Sequence, residues 1–136
     1  MSLELGSIES RKLLDAAREA RKHSYSPYSE YRVGAAILGE NGKVYSGCNI
    51  ENVSYGLTIC AERAAIAQMV SDGCSLILAV AVVTKDGGSP CGMCRQVILE
   101  FTKDGSTPVF CSDEQDLVVR FTIGELIPHG FRSSLP

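Results

Sequence analysis

Three cysteines and one glutamate lie at the starts of two predicted helices. The chain contains Cys60-Ala61-Glu62 and, thirty residues later, Cys91-Gly92-Met93-Cys94. Residues three apart share one face of a helix, so Cys91 and Cys94 are expected to point the same way. The positive end of the helix dipole favours ionised thiols, which are the form that binds metals. Three thiolates at about 2.3 Å leave one position of a tetrahedral zinc site for water, which is the arrangement of a catalytic zinc.

Glu62 follows Cys60 by two residues and is expected to lie near the metal without binding it. A carboxylate at that point can move protons between water and a substrate. Zinc lowers the pKa of bound water from about 15.7 to about 7, but three thiolates leave an excess of negative charge that weakens this effect. We expect Arg63 and Arg95 to compensate that charge by hydrogen bonding to the sulfurs.

Other interpretations of these cysteines exist. A Cys-x-x-Cys pair on its own is often a redox motif. The upstream Cys-x-Glu, with Pro90 before the pair, matches the three-cysteine form of the zinc deaminase signature and favours a catalytic zinc. A structural zinc would need a fourth ligand such as Cys48 or Cys111, whose apolar surroundings favour small buried residues instead. His23 and His129, near the ends of predicted elements, are expected to be surface or capping groups.

Composition restricts the classes of function. The 136 residues fit a single domain, 1–136, in which we set residues 1–3 aside as a tag remnant. The formal charge is -3, and no basic stripe suited to DNA or RNA is present, so the expected partner is a small neutral molecule. No run approaches the ~20 apolar residues of a membrane span, and no secretory signal begins the sequence. We therefore expect a cytoplasmic protein whose six cysteines stay reduced.

Hydrophobic periodicity predicts the elements that must hold these residues. The Asn41-Gly42 pair predicts a hairpin, and the apolar run 76–84 predicts a strand buried on both faces. The order of elements predicts an α/β fold, a three-layer α/β/α sandwich with a mixed five-stranded sheet. The predicted helices cover 8–23, 59–71, 91–101 and 123–127, and the predicted strands cover 32–39, 43–48, 76–84, 107–111 and 117–122.

Further motifs occur in a fixed order along the chain. They are Tyr25–Ser29 with Val33–Ala36, Gly47–Asn52, Cys60–Arg63, Ser89–Val97, and Glu125–Pro128 with Phe131. In these motifs the chain resembles the small homotetrameric cytidine deaminases over nearly its whole length. The resemblance implies one zinc per subunit, held by Cys60, Cys91 and Cys94, with Glu62 as the proton shuttle. It also implies deamination of cytidine and deoxycytidine to uridine and deoxyuridine in pyrimidine salvage.

The same resemblance assigns substrate contacts. Asn49 and Glu51 would bind the ribose, chiefly its 3′-hydroxyl, whereas the two residues taken alone fit a solvated loop better than a binding site. Tyr31 stands where the family usually has a phenylalanine that packs on the pyrimidine. The remaining implied contacts are the carbonyls of Ala61 and Ser89 near the exocyclic amine, and Tyr55 and Phe131 near the site of a neighbouring subunit.

Some residues depart from the family pattern, and other functions remain open. Ala64 stands where threonine is common and Met93 where alanine is common, which together with Tyr31 leaves the substrate preference undecided. A deaminase of another aminopyrimidine, such as blasticidin S, is one alternative. A thiol oxidoreductase using the Cys-x-x-Cys pair and a zinc-stabilised binding module without turnover are others. The carboxylate beside an open coordination position argues against the last.

Overall fold

A computed structural model describes residues 3–133. The order of elements is helix, hairpin, helix, strand, helix, strand, strand, helix, as the sequence predicts. The helices are α1 (Ile8–Arg21), α2 (Ala61–Ser71), α3 (Gly92–Glu100) and α4 (Ile123–Leu126), and the strands are β1 (Gly34–Gly39), β2 (Val44–Cys48), β3 (Ile77–Val83), β4 (Pro108–Ser112) and β5 (Val118–Thr122).

The five strands form one mixed sheet in the order β2-β1-β3-β4-β5. Strands β3 and β4 are parallel, with Val80 opposite Val109, and the other neighbouring pairs are antiparallel. A parallel pair needs a crossover connection, which α3 provides. The parallel pair therefore places the start of α3 just beyond the end of β3.

Helices cover both faces of the sheet. Alternate residues of β1 point to opposite faces, as strand geometry requires: Ala35 and Ile37 pack with α2, α3 and α4, whereas Ala36 packs with α1. The burial pattern of β3 is almost uninterrupted, because both of its faces are covered. The predicted three-layer sandwich with a mixed five-stranded sheet is confirmed.

Two glycines set the close contacts of this core. Gly42 closes the predicted hairpin turn with φ of 82°, a left-handed conformation that glycine adopts without steric cost. A Cβ at Gly34 would lie 2.0 Å from the carbonyl oxygen of Ala17, so only glycine lets α1 lie this close to β1.

The element boundaries differ from the predictions where hydrogen bonds to side chains or between loops replace the regular backbone pairing of a strand or helix. Strand β1 begins two residues late, because the Val33 amide donates to the Asn49 side chain rather than to a neighbouring strand. Helix α2 also begins two residues late, because Ile59 pairs with Ile50 through two backbone hydrogen bonds of 2.9 Å. A 3-10 helix, Tyr55–Leu57, lies within the segment predicted as a loop.

The first described residue contributes to the core. Residues 1–3 are expected to be a tag remnant, and residues 1 and 2 lie outside the part that the structure describes. Leu3, however, is buried and packs with Leu13 and Phe110 in the layer beneath α1. Leu3 is therefore part of the core. Within residues 3–133, no helix combines the length and the apolar character that a membrane span requires.

Candidate active site

The starts of α2 and α3 meet beside the sheet and bring three cysteines together. Cys60 and Cys91 are the N-cap residues of α2 and α3, and neither side chain caps its own helix. Cys94 lies one turn into α3 and is buried. Because both cap thiols are left without a capping hydrogen bond, their sulfurs are available to a metal.

The spacing of the sulfurs fits one tetrahedral zinc ion. The Sγ atoms of Cys60 and Cys91 are 4.0 Å apart, and all three sulfurs lie within 4.8 Å of one another. Zinc with thiolate bonds of 2.3 Å needs sulfurs roughly 3.8 Å apart, so a small inward movement completes the site. Among residues 3–133, no histidine, aspartate, glutamate or other cysteine extends this group of possible ligands.

Charge is unevenly shared among the sulfurs before a metal binds. A hydrogen bond from Cys94, together with Arg63, lowers the pKa of the Cys60 thiol to about 5. The same hydrogen bond raises the pKa of Cys94. Arg63 donates to the Cys60 sulfur at 3.5 Å and to the Thr58 carbonyl at 3.2 Å. Arg63 thus lies where the expected charge compensation requires it.

Arg95 is placed differently from the expectation. Its three guanidinium nitrogens donate to oxygen atoms: the carbonyls of Pro90 at 2.7 Å and Leu126 at 2.8 Å, and the hydroxyl of Ser89 at 2.7 Å. The guanidinium therefore ties the start of α3 to the end of α4 instead of bonding to a sulfur. Arg95 lies near the start of α3, and its side chain extends back toward the Pro90 carbonyl rather than toward the cysteines.

Glu62 is a carboxyl group enclosed by protein. Its side chain lies in the first turn of α2 and is 4% exposed. Burial raises the pKa of Glu62 to about 7, and the nearby Cys60 thiolate acts in the same direction. A group with that pKa can both accept and donate a proton near neutral pH, which is the requirement for acid–base catalysis.

A cavity of about 290 Å³ opens onto the sulfurs and Glu62. That volume is near the lower end of the usual range for small-molecule sites. It contains carboxylate, amide, hydroxyl and thiol groups but no lysine or arginine. The lining residues are Ser29, Tyr31, Val33, Asn49, Glu51, Thr58, Cys60, Ala61, Glu62, Val82, Thr84, Gly88, Ser89 and Cys91.

Asn49 and Glu51 both reach this cavity and are also held by the surrounding loops. Asn49 is buried, donates to the Tyr31 carbonyl at 2.8 Å and accepts from the Val33 amide at 3.0 Å. The Glu51 carboxylate accepts from the Ser29 amide at 3.1 Å and from the Ser29 hydroxyl. These hydrogen bonds, chiefly the one from the Ser29 hydroxyl, lower the pKa of Glu51, so its carboxylate is an ionised acceptor.

The other predicted residues fall into two groups. Tyr31, Ala61 and Ser89 line the cavity, whereas Tyr55 and Phe131 are 77% and 80% exposed and point away from their own chain's core. The Tyr55 ring packs edge-on with the ring of Tyr28, and the backbone of Phe131 is held by two hydrogen bonds to Gln96. Of the residues that depart from the family pattern, Met93 is 65% exposed and Ala64 lies against Gly47.

Six residues of the cavity wall have no role predicted from the sequence: Ser29, Val33, Thr58, Val82, Thr84 and Gly88. Ser29 belongs to a quoted motif, so its position was visible although its contact with Glu51 was not. Thr84 and Gly88 lie at the end of a buried strand and in a turn, where sequence pattern alone carries no signal of a site.

Comparison with known proteins agrees with this geometry. Residues 7–110 match the family model of the cytidine and deoxycytidylate deaminase zinc-binding region. A cytidine deaminase from Sporosarcina psychrophila is 45% identical over 126 residues, which are 91% of this chain and 92% of that protein. A solved structure of cytidine deaminase from Burkholderia pseudomallei has a TM-score of 0.83 at 41% identity, covering 89% of this chain and 98% of that one.

A solved cytidine deaminase from Mycobacterium tuberculosis is similar over 93% of this chain and its own full length, with a TM-score of 0.79 and 40% identity. The family match includes all three clustered cysteines and Glu62. The chain therefore belongs to the zinc-binding cytidine and deoxycytidylate deaminase family.

Proposed function

We propose that this protein catalyses the hydrolytic deamination of cytidine and deoxycytidine to uridine and deoxyuridine, with one zinc ion per subunit. The observation that carries the proposal is the buried Glu62 beside three clustered sulfurs, facing a cavity that also presents Asn49 and Glu51. Relatives named cytidine deaminase cover nine-tenths of the chain and support the same reaction.

The chemistry divides between the metal and the chain. Cys60, Cys91 and Cys94 would hold zinc, which when bound would activate a water molecule as the nucleophile near neutral pH. Glu62, with a pKa of about 7, takes up a proton and delivers it to N3 of the cytosine ring. After the water oxygen has bonded to C4, the same carboxyl takes the proton of the new C4 hydroxyl and passes it to the amino group. The C4–N bond breaks, ammonia leaves, and the oxygen remains as the C4 carbonyl of the uracil ring.

The cavity favours a nucleoside over a nucleotide. Two carboxylates and no lysine or arginine line it. The carboxylates would repel a phosphate group, and no basic side chain of the lining would bind it. The ionised Glu51 and the Asn49 amide suit sugar hydroxyls, which donate and accept hydrogen bonds. Tyr31 would pack on the pyrimidine, and the carbonyls of Ala61 and Ser89 would face the exocyclic amine.

We also propose a homotetramer in which Tyr55 and Phe131 reach the site of a neighbouring subunit. Both side chains are highly exposed, and Tyr55 lies in a segment with further exposed apolar side chains, which supports this assembly: Val53, Leu57 and Ile59. The six cysteines are all free within the described chain, which fits the expected reducing cytoplasm and a place in pyrimidine salvage.

One assay separates the candidate substrates. The loss of cytidine absorbance is followed on the zinc-loaded protein, with deoxycytidine, deoxycytidylate, cytosine and blasticidin S in parallel. We expect turnover of the two nucleosides and little of the others. Turnover of blasticidin S alone would support the alternative deaminase, and a protein without stoichiometric zinc whose thiols undergo redox cycling would support an oxidoreductase. The comparisons favour neither alternative.

A further inference from the structure

One hydrogen bond joins two loops that are far apart in the sequence. The Tyr31 hydroxyl donates to Oδ1 of Asp86 at 2.7 Å. The same carboxylate oxygen accepts from the Gly88 amide at 3.2 Å and from the Thr84 hydroxyl at 3.3 Å. Three donors from two loops therefore converge on a single oxygen of Asp86.

The protonation states suit a strong hydrogen bond. Burial raises the pKa of Tyr31, so the phenol keeps its proton and donates it. The Tyr31 hydroxyl in turn lowers the pKa of Asp86, whose carboxylate is ionised at neutral pH. Hydrogen bonds to an ionised acceptor are shorter and about twice as strong as neutral ones.

Asp86 is exposed and lies outside the cavity lining, but its hydrogen-bond partners are residues of that lining. Tyr31, Thr84 and Gly88 line the cavity, whereas the Asp86 side chain is not part of its lining. A Cβ at Gly88 would lie 3.0 Å from the Tyr31 hydroxyl, so the ring and this loop are already in tight contact. The next residue, Ser89, also lines the cavity and leads into the metal-binding turn.

The opposite side of Tyr31 is held by a second set of hydrogen bonds. Its backbone amide donates to the Ser29 hydroxyl at 3.0 Å, and that hydroxyl donates to Glu51. Glu30, between Ser29 and Tyr31, has φ of 57°, a left-handed conformation that is unfavourable for a residue other than glycine. A strained residue persists where its surroundings fix it, here by bonds on both sides.

We propose that Asp86 is a positioning residue for substrate binding, which holds the Tyr31 ring against the cavity and couples the Glu51 side of the site to the loop before α3. The inference rests on the proposed function, because the substrate is taken to be a cytosine nucleoside. The role belongs to binding and not to proton transfer, since Asp86 makes no contact with Glu62 or with the sulfurs in the hydrogen bonds that the structure gives it.

The test is a double-mutant cycle on the zinc-loaded enzyme with cytidine. We expect Asp86→Ala and Tyr31→Phe each to raise KM about three- to tenfold while kcat changes less than twofold, because one charge-assisted hydrogen bond is lost in either case. The double variant should be no worse than the more affected single variant. Asp86→Asn keeps an oxygen acceptor and should restore most of the affinity.

Tyr45→Phe is the matched control. The Tyr45 hydroxyl also donates to an aspartate, Asp72 at 2.5 Å, but neither residue lines the cavity. Its removal should lower the melting temperature and leave KM unchanged. An unchanged KM in Asp86→Ala, or effects of the two single variants that simply add, would overturn the inference.

A second measurement separates this inference from the proposed reaction. Amide hydrogen exchange of the segments 28–33 and 84–90 should speed up in Asp86→Ala and in Tyr31→Phe, but not in Tyr45→Phe. If the wild-type protein failed to deaminate cytidine, the proposed function would be wrong, and exchange would still decide whether Asp86 couples the two loops. Unaltered exchange in both segments would show that it does not.

Discussion

Glu62 is a carboxyl group that the fold keeps from water while leaving it open to the cavity. Its burial costs free energy in the charged form, which is why its pKa rises to about 7. A surface glutamate of ordinary pKa would be a poor proton donor at neutral pH. The residue therefore gains its function from its surroundings and not from its type alone.

Glu62→Gln tests this role directly. The amide retains the shape of the side chain but cannot carry a proton, so we expect kcat to fall by about 10²–10⁴-fold with zinc content unchanged. Steady-state kinetics and metal analysis measure the two quantities. Glu100→Gln, on the exposed end of α3, is the control and should leave both unchanged. Substantial turnover by Glu62→Gln would remove Glu62 from the mechanism.

Arg63 donates to the Cys60 sulfur, and we propose that it acts on the metal site through this hydrogen bond. Cys94 and Arg63 together lower the pKa of Cys60, and protons compete with zinc for a thiolate below its pKa. Arg63→Gln raises that pKa, so we expect zinc to be lost at a higher pH than in the wild type. Zinc retained after dialysis at a series of pH values between 4 and 8 is the measurement. Arg63→Lys keeps the charge and should fall between the two; identical curves for all three would exclude this role.

At the scale of elements, the site depends on how closely α2 lies against β2. A Cβ at Gly47 would lie 2.8 Å from the Cβ of Ala64 and 2.9 Å from the carbonyl of Ala61, so the helix start rests on a residue without a side chain. The absence of that side chain lets the N-terminus of α2 bring Cys60 and Glu62 to the end of the sheet. Packing here sets the position of two functional groups at once.

Gly47→Ala should therefore disturb both stability and activity. Overpacking costs about 1–3 kcal/mol of unfolding free energy, and displacement of α2 should lower kcat as well. Urea unfolding and cytidine turnover measure the effects. Gly56→Ala, which has no neighbour within 4 Å of the added Cβ, should leave the free energy of unfolding nearly unchanged. Equal stabilities of the two variants would contradict this account of the contact.

A zinc ion held by Cys60, Cys91 and Cys94 would link the starts of two helices. Its ligands come from α2 and α3, so bound metal stabilises the folded state by mass action, by about 4 kcal/mol at a thousand times Kd. We expect a strong chelator to lower the melting temperature by several degrees or more and to abolish turnover. Added zinc should reverse both effects. An unchanged melting temperature after chelation would show that the metal does not join the helices.

At the scale of the whole molecule, exposed apolar side chains follow one another in the segment around the 3-10 helix: Val53, Tyr55, Leu57 and Ile59. Tyr55 and the exposed Tyr28 border a pocket next to the cavity, and Phe131 is exposed near the end of the described chain. Exposed apolar clusters of this kind mark protein interfaces. The proposed tetramer would cover them and would complete each site with residues from a neighbour.

Tyr55→Asp tests the assembly. A charge placed in the proposed interface should dissociate the protein into 14.6 kDa subunits and lower kcat/KM, because the neighbouring residue is lost from the site. Analytical ultracentrifugation at matched concentrations measures the mass. Leu117→Asp places the same charge on a similarly exposed side chain in the β4–β5 turn and should leave the wild-type mass unchanged. A wild-type sample of 14.6 kDa would end the tetramer proposal.

The sequence by itself determined the type and order of the elements and the residues of the metal cluster. Periods of 3.6 and 2 specify helices and strands locally, and the spacing of Cys91 and Cys94 follows from one helix turn. The burial of β3 was visible as an apolar run, and the hairpin turn as Asn41-Gly42. These features depend on neighbours along the chain, which the sequence displays directly.

Only the tertiary structure decided which distant residues meet. The hydrogen bond from Tyr31 to Asp86 spans 55 positions, and Arg95 turns to the Leu126 carbonyl instead of a sulfur. The Asn49 side chain replaces a strand partner for Val33, which no periodicity predicts. Such contacts form because close packing brings separate segments together and buried polar groups must then find partners. A single sequence does not show which distant residues will be in contact.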